Sequence, residues 1–202
     1  MPLFSEFSVF GILLSAVAGY LLGDIQTAII ISKKHYHDDV RNHGSGNAGS
    51  TNMVRVFGIK PGAATFAGDF LKGVIGVLAG RLLCGQLGGY VGGLFVVVGH
   101  CWPVFAGFRG GKGVASSFGI AWMTFPLGAA ITTGVITLLF LLTKRVSVMS
   151  LAGILTFFLT TVIFGGNPFL IALAAALTVV VYVRHKDNIV RLLHGEEGKF
   201  IH

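Results

Sequence analysis

Two stretches of this sequence place glycines, cations and short polar side chains closely enough to hold a phosphate group. The first is residues 41–52, RNHGSGNAGSTN. Its Gly44, Gly46 and Gly49 expose backbone N–H groups, while Ser45, Asn47, Thr51 and Asn52 add short hydrogen-bonding side chains and Arg41 adds a charge. A helix starting near Ser50 would aim its N-terminal amides at an anion. The stretch formally reads G-x-G-x-x-G, yet a dinucleotide site needs a buried strand before it and a βαβ unit around it. An apolar helix and a charged loop precede it instead. The second stretch is residues 99–115, GHCWPVFAGFRGGKGVA, with Gly110, Gly111, Lys112 and Gly113 following Arg109. It is not a Walker A loop, because Ala106 stands where the first glycine is required and Gly113 stands where Ser or Thr is required. It is a second loop of glycine and cation, and two such loops converging make an anion site.

Two further groups carry charge where charge is costly or placed. Asp69 and Lys72 in GDFLKG lie three apart on an otherwise apolar helix and can pair on one face. An ion pair within a membrane segment is a functional hypothesis by default. The tail RHKDNIVRLLHGEE offers His185, Asn188 and Arg191 at i, i+3 and i+6 on one helical face. His35, His37, Asp38, Asp39 and His43 crowd one loop without a metal-site spacing, so no metal is expected. No His-x-x-x-x-Asp and no G-x-S-x-G nucleophile elbow occurs.

The elements that must position these groups are apolar helices. Only 11% of the residues are charged, against roughly 25% in a soluble domain. No Asp, Glu, Lys or Arg lies between Arg81 and Arg109, between Lys112 and Lys144, or between Arg145 and Arg184. Each gap exceeds the ~20 apolar residues that cross a bilayer. The pattern predicts an all-α polytopic integral membrane protein with seven transmembrane helices over residues 3–31, 63–83, 85–105, 114–124, 127–142, 148–164 and 169–183. Five is the alternative, if 114–124 and its neighbour form a re-entrant pair. Residues 33–47 are expected as a polar loop and residues 165–168, Gly-Gly-Asn-Pro, as a turn.

The net charge of +7 would suggest nucleic acid in a soluble protein, but here it is read by position. With the N-terminus outside, Lys33, Lys34, Arg41, Arg55, Lys60, Arg109, Lys112, Lys144, Arg145, Arg184, Lys186, Arg191 and Lys199 fall on the cytoplasmic face with the C-terminus, and only Arg81 falls outside. Gly85, Gly89 and Gly93, like Gly88 and Gly92, recur every four residues and would let helices approach closely. The first apolar segment lacks a basic leader and a cleavage site and is expected to be retained. Cys84 and Cys101 are expected as free buried thiols, ~25 Å apart if they share a helix.

Together these four segments resemble the bacterial acyl-phosphate:glycerol-3-phosphate acyltransferase (PlsY) family over nearly the whole chain. Arg41 with GSGNAGSTN is similar to its first loop motif, Asp69 with Lys72-Gly73 to its intramembrane motif, and GHCWPVFAGFRGGKGVA to its most distinctive segment. His185, Asn188, Arg191, Gly195 and Glu197 are similar to its C-terminal signature, and Ser147 and Ser150 fall where the family often carries serines. Ser50, and Asp24-Ile25-Gln26, depart from the usual pattern.

The resemblance implies a single transmembrane acyltransferase domain over 1–202 in the bacterial cytoplasmic (inner) membrane, monomeric, with its active site facing the cytoplasm. It implies acyl transfer from acyl phosphate, rather than from acyl-CoA or acyl-carrier protein, to the 1-hydroxyl of glycerol 3-phosphate, with no cofactor. Lys112, His185, Asn188 and Arg41 are the expected catalytic groups and hold glycerol 3-phosphate. Gly44, Ser45, Gly46, Asn47, Thr51, Asn52, Gly110, Gly111 and Gly113 are the expected phosphate-binding groups, supported by Asp69, Lys72, His100, Ser147, Ser150, Arg191 and Glu197. A transporter or exchanger of small organic phosphates is the rival reading. It would show paired broken helices and basic residues on both faces. A non-catalytic scaffold is the third, and it would leave the glycine loops without purpose.

Overall fold

A computed structural model describes residues 1–165 and 167–200. The expected turn at Gly166 falls outside the described residues. All regular structure among them is helical. Four segments are long and apolar enough to cross a membrane, five if the bent pair near the C-terminus is counted. The chain divides into two compact units, Met1–Ile120 and Ala121–His202.

The first unit is built on α1 (Val9–Asp24), α2 (Thr27–Tyr36), α3 (Ser50–Phe57) and α4 (Ile59–Cys101). The expected single helix over 3–31 is broken. Ile25 and Gln26 leave helical geometry, with ψ near 104° and 91°, and α2 restarts at Thr27. A break inside an apolar segment frees carbonyls that lipid cannot satisfy. Here the Lys72 ammonium donates to Gly23 O at 3.1 Å and Ile25 O at 2.8 Å. The expected polar loop also begins later, because Lys33, Lys34 and His35 form the last turn of α2, where cations favour the negative end of the helix dipole.

α4 folds back on itself at Cys84 and Gly85, so residues 59–83 and 86–101 form two antiparallel arms. Gly85 adopts φ 62°, ψ −153°, a region open essentially to glycine alone. Gly85 therefore makes the turn, correcting its expected packing role. The remaining small residues do close the helices. A Cβ on Gly88 would run into Gly80 O, one on Gly19 into Gly92 O, and one on Gly23 into Val96 O. The pairing of Gly11 with Cys84, Gly19 with Gly92 and Gly23 with Val96 runs α1 parallel to the second arm. Both break-and-loop segments, 25–58 and 102–113, consequently emerge at the same end of this unit. Both cysteines are buried, and neither is in a disulfide among the described residues.

α5 (Val114–Thr124) leads into the second unit, which comprises α6 (Pro126–Thr143), α7 (Val146–Ile163), α8 (Pro168–Arg184) and α9 (Lys186–Leu193). Pro126 and Pro168 open their helices at the first turn, where a missing N–H costs nothing. α6 and α7 pack through Gly153 against Ile136 and Gly128 against Thr160. Their outer faces carry exposed Leu138, Leu141, Leu142, Leu155, Leu159, Val162 and Ile163, an apolar exterior suited to lipid. α9 turns 65° away from α8. The chain then returns, and the Phe200 N–H donates to Lys144 O at 2.8 Å.

Candidate active site

Arg41 stands at the junction of the two glycine loops. Its guanidinium grips Asp39, with Nε on Oδ1 at 3.0 Å and Nη2 on Oδ2 at 2.7 Å. Its Nη1 reaches across to donate to Ala106 O at 2.7 Å and Arg109 O at 3.3 Å. A fork-on-carboxylate pair of this geometry is among the stronger charge-assisted contacts. Arg41 therefore straps the first loop to the second. Asp39 appeared in the sequence only among candidate metal ligands, yet it sits two residues before the arginine it orients.

Hydrogen bonding from Arg41 is the main cause that holds the Asp39 carboxyl at about 2, against an ordinary 3.8, and burial opposes it. The same contact raises the Arg41 guanidinium. A depressed carboxyl favours the folded form above its ordinary value, and that benefit disappears as pH falls toward 2. The strap's contribution to stability is thus expected to be full above about pH 4 and to drain away between about 4 and 2, with the carboxylate itself half protonated near 2. A carboxyl-carbon NMR titration should find Asp39 near 2, and Arg41→Ala should return it toward 3.8.

The first loop is shaped by Asn52. Its Oδ1 accepts from Ser45 N at 2.9 Å, and its Nδ2 donates to Val40 O at 3.1 Å and His43 O at 3.0 Å. Asn52 is 1% exposed, so the amide expected to touch ligand is turned inward and organises the loop. Ser45 is exposed, and Asn47, Thr51 and Gly46 are partly so. α3 starts at Ser50 as its sequence predicts, with Gly49 as a cap that offers no side chain. The first backbone bond of the helix runs from Met53 N to Gly49 O, which leaves its leading amides without helical partners.

The second loop is held from beneath by the end of α4. Gly111 N–H donates to His100 O at 3.1 Å. A Cβ on Gly110 would strike His100 O, and one on Gly111 would strike His100 Nε2 and come within 3.0 Å of Ala48 O. Gly113 has φ +81° and lies on Val97 and Cys101. The loops thus meet at Gly111 and Ala48, and partly buried Lys112 rises from a backbone fixed on both sides.

Below this contact lies the buried pair that the Asp69–Lys72 spacing predicted, at 3.0 Å, with side chains 3% and 6% exposed. Thr27 Oγ1 donates to Asp69 at 3.2 Å. Lys72 Nζ also meets His100 Nδ1 at 2.7 Å, and Gln26 Nε2 donates to His100 O at 3.3 Å. His100, expected at the interface, is 4% exposed and joins this cluster. Asp24 Oδ2 accepts from Phe105 N at 3.2 Å. Neither Asp24 nor Gln26 was singled out as a site residue, because both contacts bridge residues far apart in sequence.

In the second unit Glu197 gathers the C-terminal groups. Its carboxylate accepts from Asn188 Nδ2 at 2.7 Å and Arg191 Nε at 2.8 Å. Burial would raise this carboxyl, but hydrogen bonding from the Ser147 side, Asn188 and Arg191 lowers it overall. Ser147 Oγ itself has no hydrogen-bond partner among the described residues, whereas Asn188 and Arg191 donate directly to the carboxylate. His185 closes α8 and opens α9, buried, with Nδ1 on Val181 O at 2.8 Å. Ser150 is buried on α7.

A protein whose described residues are all helical or loop, with several apolar helices of membrane length, has the make-up of an integral membrane protein. A family model described as glycerol-3-phosphate acyltransferase matches residues 13–195. The chain is 44% identical over 186 residues to a glycerol-3-phosphate acyltransferase of Thermoanaerobacter sp. (strain X514), covering 92% of this chain and 94% of the relative. It is 41% identical over 197 residues to that of Clostridioides difficile (strain 630), covering 95% and 96%. Among solved structures it resembles PlsY (YgiH), an integral membrane glycerol 3-phosphate acyltransferase. The glycerol 3-phosphate form gives a TM-score of 0.88 at 36% identity, covering 93% of this chain and 94% of the other. The lysophosphatidic acid form gives 0.85 at 34%, with the same coverage. This chain belongs to the glycerol-3-phosphate acyltransferase family.

Proposed function

We propose that this protein acylates the 1-hydroxyl of glycerol 3-phosphate using acyl phosphate, releasing lysophosphatidic acid and inorganic phosphate. The observation that carries the reading is the meeting of the two glycine-and-cation loops at Gly111 and Ala48, strapped by Arg41. Two phosphate-bearing substrates need two anion grips close enough for one substrate to reach the other, and adjacent loops supply them.

The glycerol hydroxyl oxygen attacks the acyl carbon, and the bond from that carbon to the phosphate oxygen breaks. The phosphate departs with the electron pair, and the hydroxyl proton passes to His185 or to the departing phosphate. The mixed anhydride is already activated, so the protein supplies position and charge rather than a covalent nucleophile. Ser45, Asn47, Thr51, the glycine amides and the leading amides of α3 hold the acyl phosphate. Asn52 keeps that loop in shape. Lys112, with Gly110, Gly111 and Gly113, takes glycerol 3-phosphate, and Arg41 adds its charge while strapping the loops; the resemblance to the family assigns His185 and Asn188 to the same substrate. Glu197 holds Asn188 and Arg191 in place, and Ser147 and Ser150 lie buried on α7.

The fold-back at Cys84–Gly85 supports counting α4 as two crossings, which with α1, α5, α6, α7 and α8 makes seven. The basic residues support an outside N-terminus and a site on the cytoplasmic face of a bacterial inner membrane. Purified protein with radiolabelled glycerol 3-phosphate and acyl phosphate should form labelled lysophosphatidic acid, and acyl-CoA in its place should form none. Absence of label with acyl phosphate, or equal label with acyl-CoA, would reject the reading.

A further inference from the structure

The buried cluster beneath the second loop has a direction. Lys72 Nζ is surrounded by four acceptors: Asp69 Oδ1 at 3.0 Å, Gly23 O at 3.1 Å, Ile25 O at 2.8 Å and His100 Nδ1 at 2.7 Å. An ammonium has three protons and no lone pair. The His100 Nδ1 must therefore accept, which places the ring proton on Nε2. That edge of the ring is the one pressed against Gly111, while the carbonyl of the same residue receives the Gly111 N–H at 3.1 Å and lies under Gly110. Gln26 donates to this carbonyl as well. His100 is thus clamped at one ring nitrogen and at its backbone, and its far edge supports the loop where that loop touches Ala48.

We propose that His100 is a positioning residue for glycerol 3-phosphate: oriented by Lys72, it props Gly111 against Ala48 and so fixes Lys112 relative to the first loop. It touches no substrate and acts through the glycine backbone. The inference rests on the reading of Lys112 and its glycines as a substrate-anion site. It explains why an ion pair sits in lipid so near the loop. The pair anchors a ring, and the ring sets a spacing on which an electrostatic site depends, since misplacement of about 1 Å costs about 100-fold in rate.

The test uses steady-state kinetics on the purified full chain, with each substrate varied separately. His100→Asn retains an acceptor for Lys72 but withdraws the edge that meets Gly111. It is expected to raise KM for glycerol 3-phosphate about tenfold, with KM for acyl phosphate within about twofold. Gly111→Ala should lose activity in the wild-type background, where its Cβ strikes His100 Nε2. In the His100→Asn background it should cost about tenfold less, because contacting sites couple. A wild-type KM for glycerol 3-phosphate in His100→Asn, multiplicative effects in the pair, or failure of His100→Asn to fold would each overturn the proposal. Lys112→Ala, run alongside, separates it from its parent reading. A wild-type KM there removes both, whereas a raised KM there with none in His100→Asn removes only the positioning role.

Discussion

Replacing Lys112 with alanine is expected to lower turnover by about 100- to 1,000-fold, the range seen when one preorganised charge-stabilising group is removed. The size of the loss follows from how the residue is held. Gly110 and Gly111 lie on His100, and Gly113 lies on Val97 and Cys101 at φ +81°, so the Lys112 Cα has little freedom. Arg41 ties the preceding Ala106 and Arg109 carbonyls to the first loop. A cation on so rigid a base holds glycerol 3-phosphate in line for attack, so its removal costs position as well as charge. Stability should barely change, because Lys112 is only partly buried and the loop backbone keeps its contacts. A circular dichroism melt beside the kinetics separates the two effects. A Lys112→Ala protein with wild-type turnover would withdraw Lys112 from the site.

What the sequence conveyed best was whatever depends on neighbours in the chain. Gaps without charge marked most of the helices, so α5 begins at Val114, while the hairpin arms, expected over 63–83 and 85–105, run over 59–83 and 86–101. Ser50 starts α3, and the three-residue spacing of Asp69 and Lys72 yields their pair. Contacts between distant segments were not legible. The break at Ile25–Gln26 carries neither proline nor glycine, and it exists because Lys72, 47 residues away from Ile25, takes the freed carbonyl. His100 looked interfacial because Trp102 and Pro103 follow it, yet it is drawn inward by an ammonium 28 residues earlier. Asn52 looked like a ligand because it is polar and follows glycines. Three backbone groups of its own loop occupy it instead.

The buried pair yields the second large effect. Asp69→Ala is expected to destabilise the protein by about 3–5 kcal/mol, the cost of leaving a buried charge without its partner. Lys72 would keep Gly23 O, Ile25 O and His100 Nδ1, but none of these carries a negative charge. Asp69→Asn retains an acceptor for Lys72 and should lose less. The informative case is the double replacement Asp69→Leu with Lys72→Met. Exchanging a buried ion pair for apolar groups is often neutral, and were the pair only an ion pair, the double variant would regain wild-type stability. Here Lys72 also caps the broken helix. Its removal strips both Ile25 O and Gly23 O of the ammonium, Gly23 O keeping its bond from Gln26, in a segment where lipid offers no replacement. The double variant should therefore fall between Asp69→Ala and wild type in a thermal melt in detergent. Full recovery would show that the α1 break does not need its ammonium, and an Asp69→Ala protein within about 1 kcal/mol of wild type would show that the pair carries no net charge to compensate.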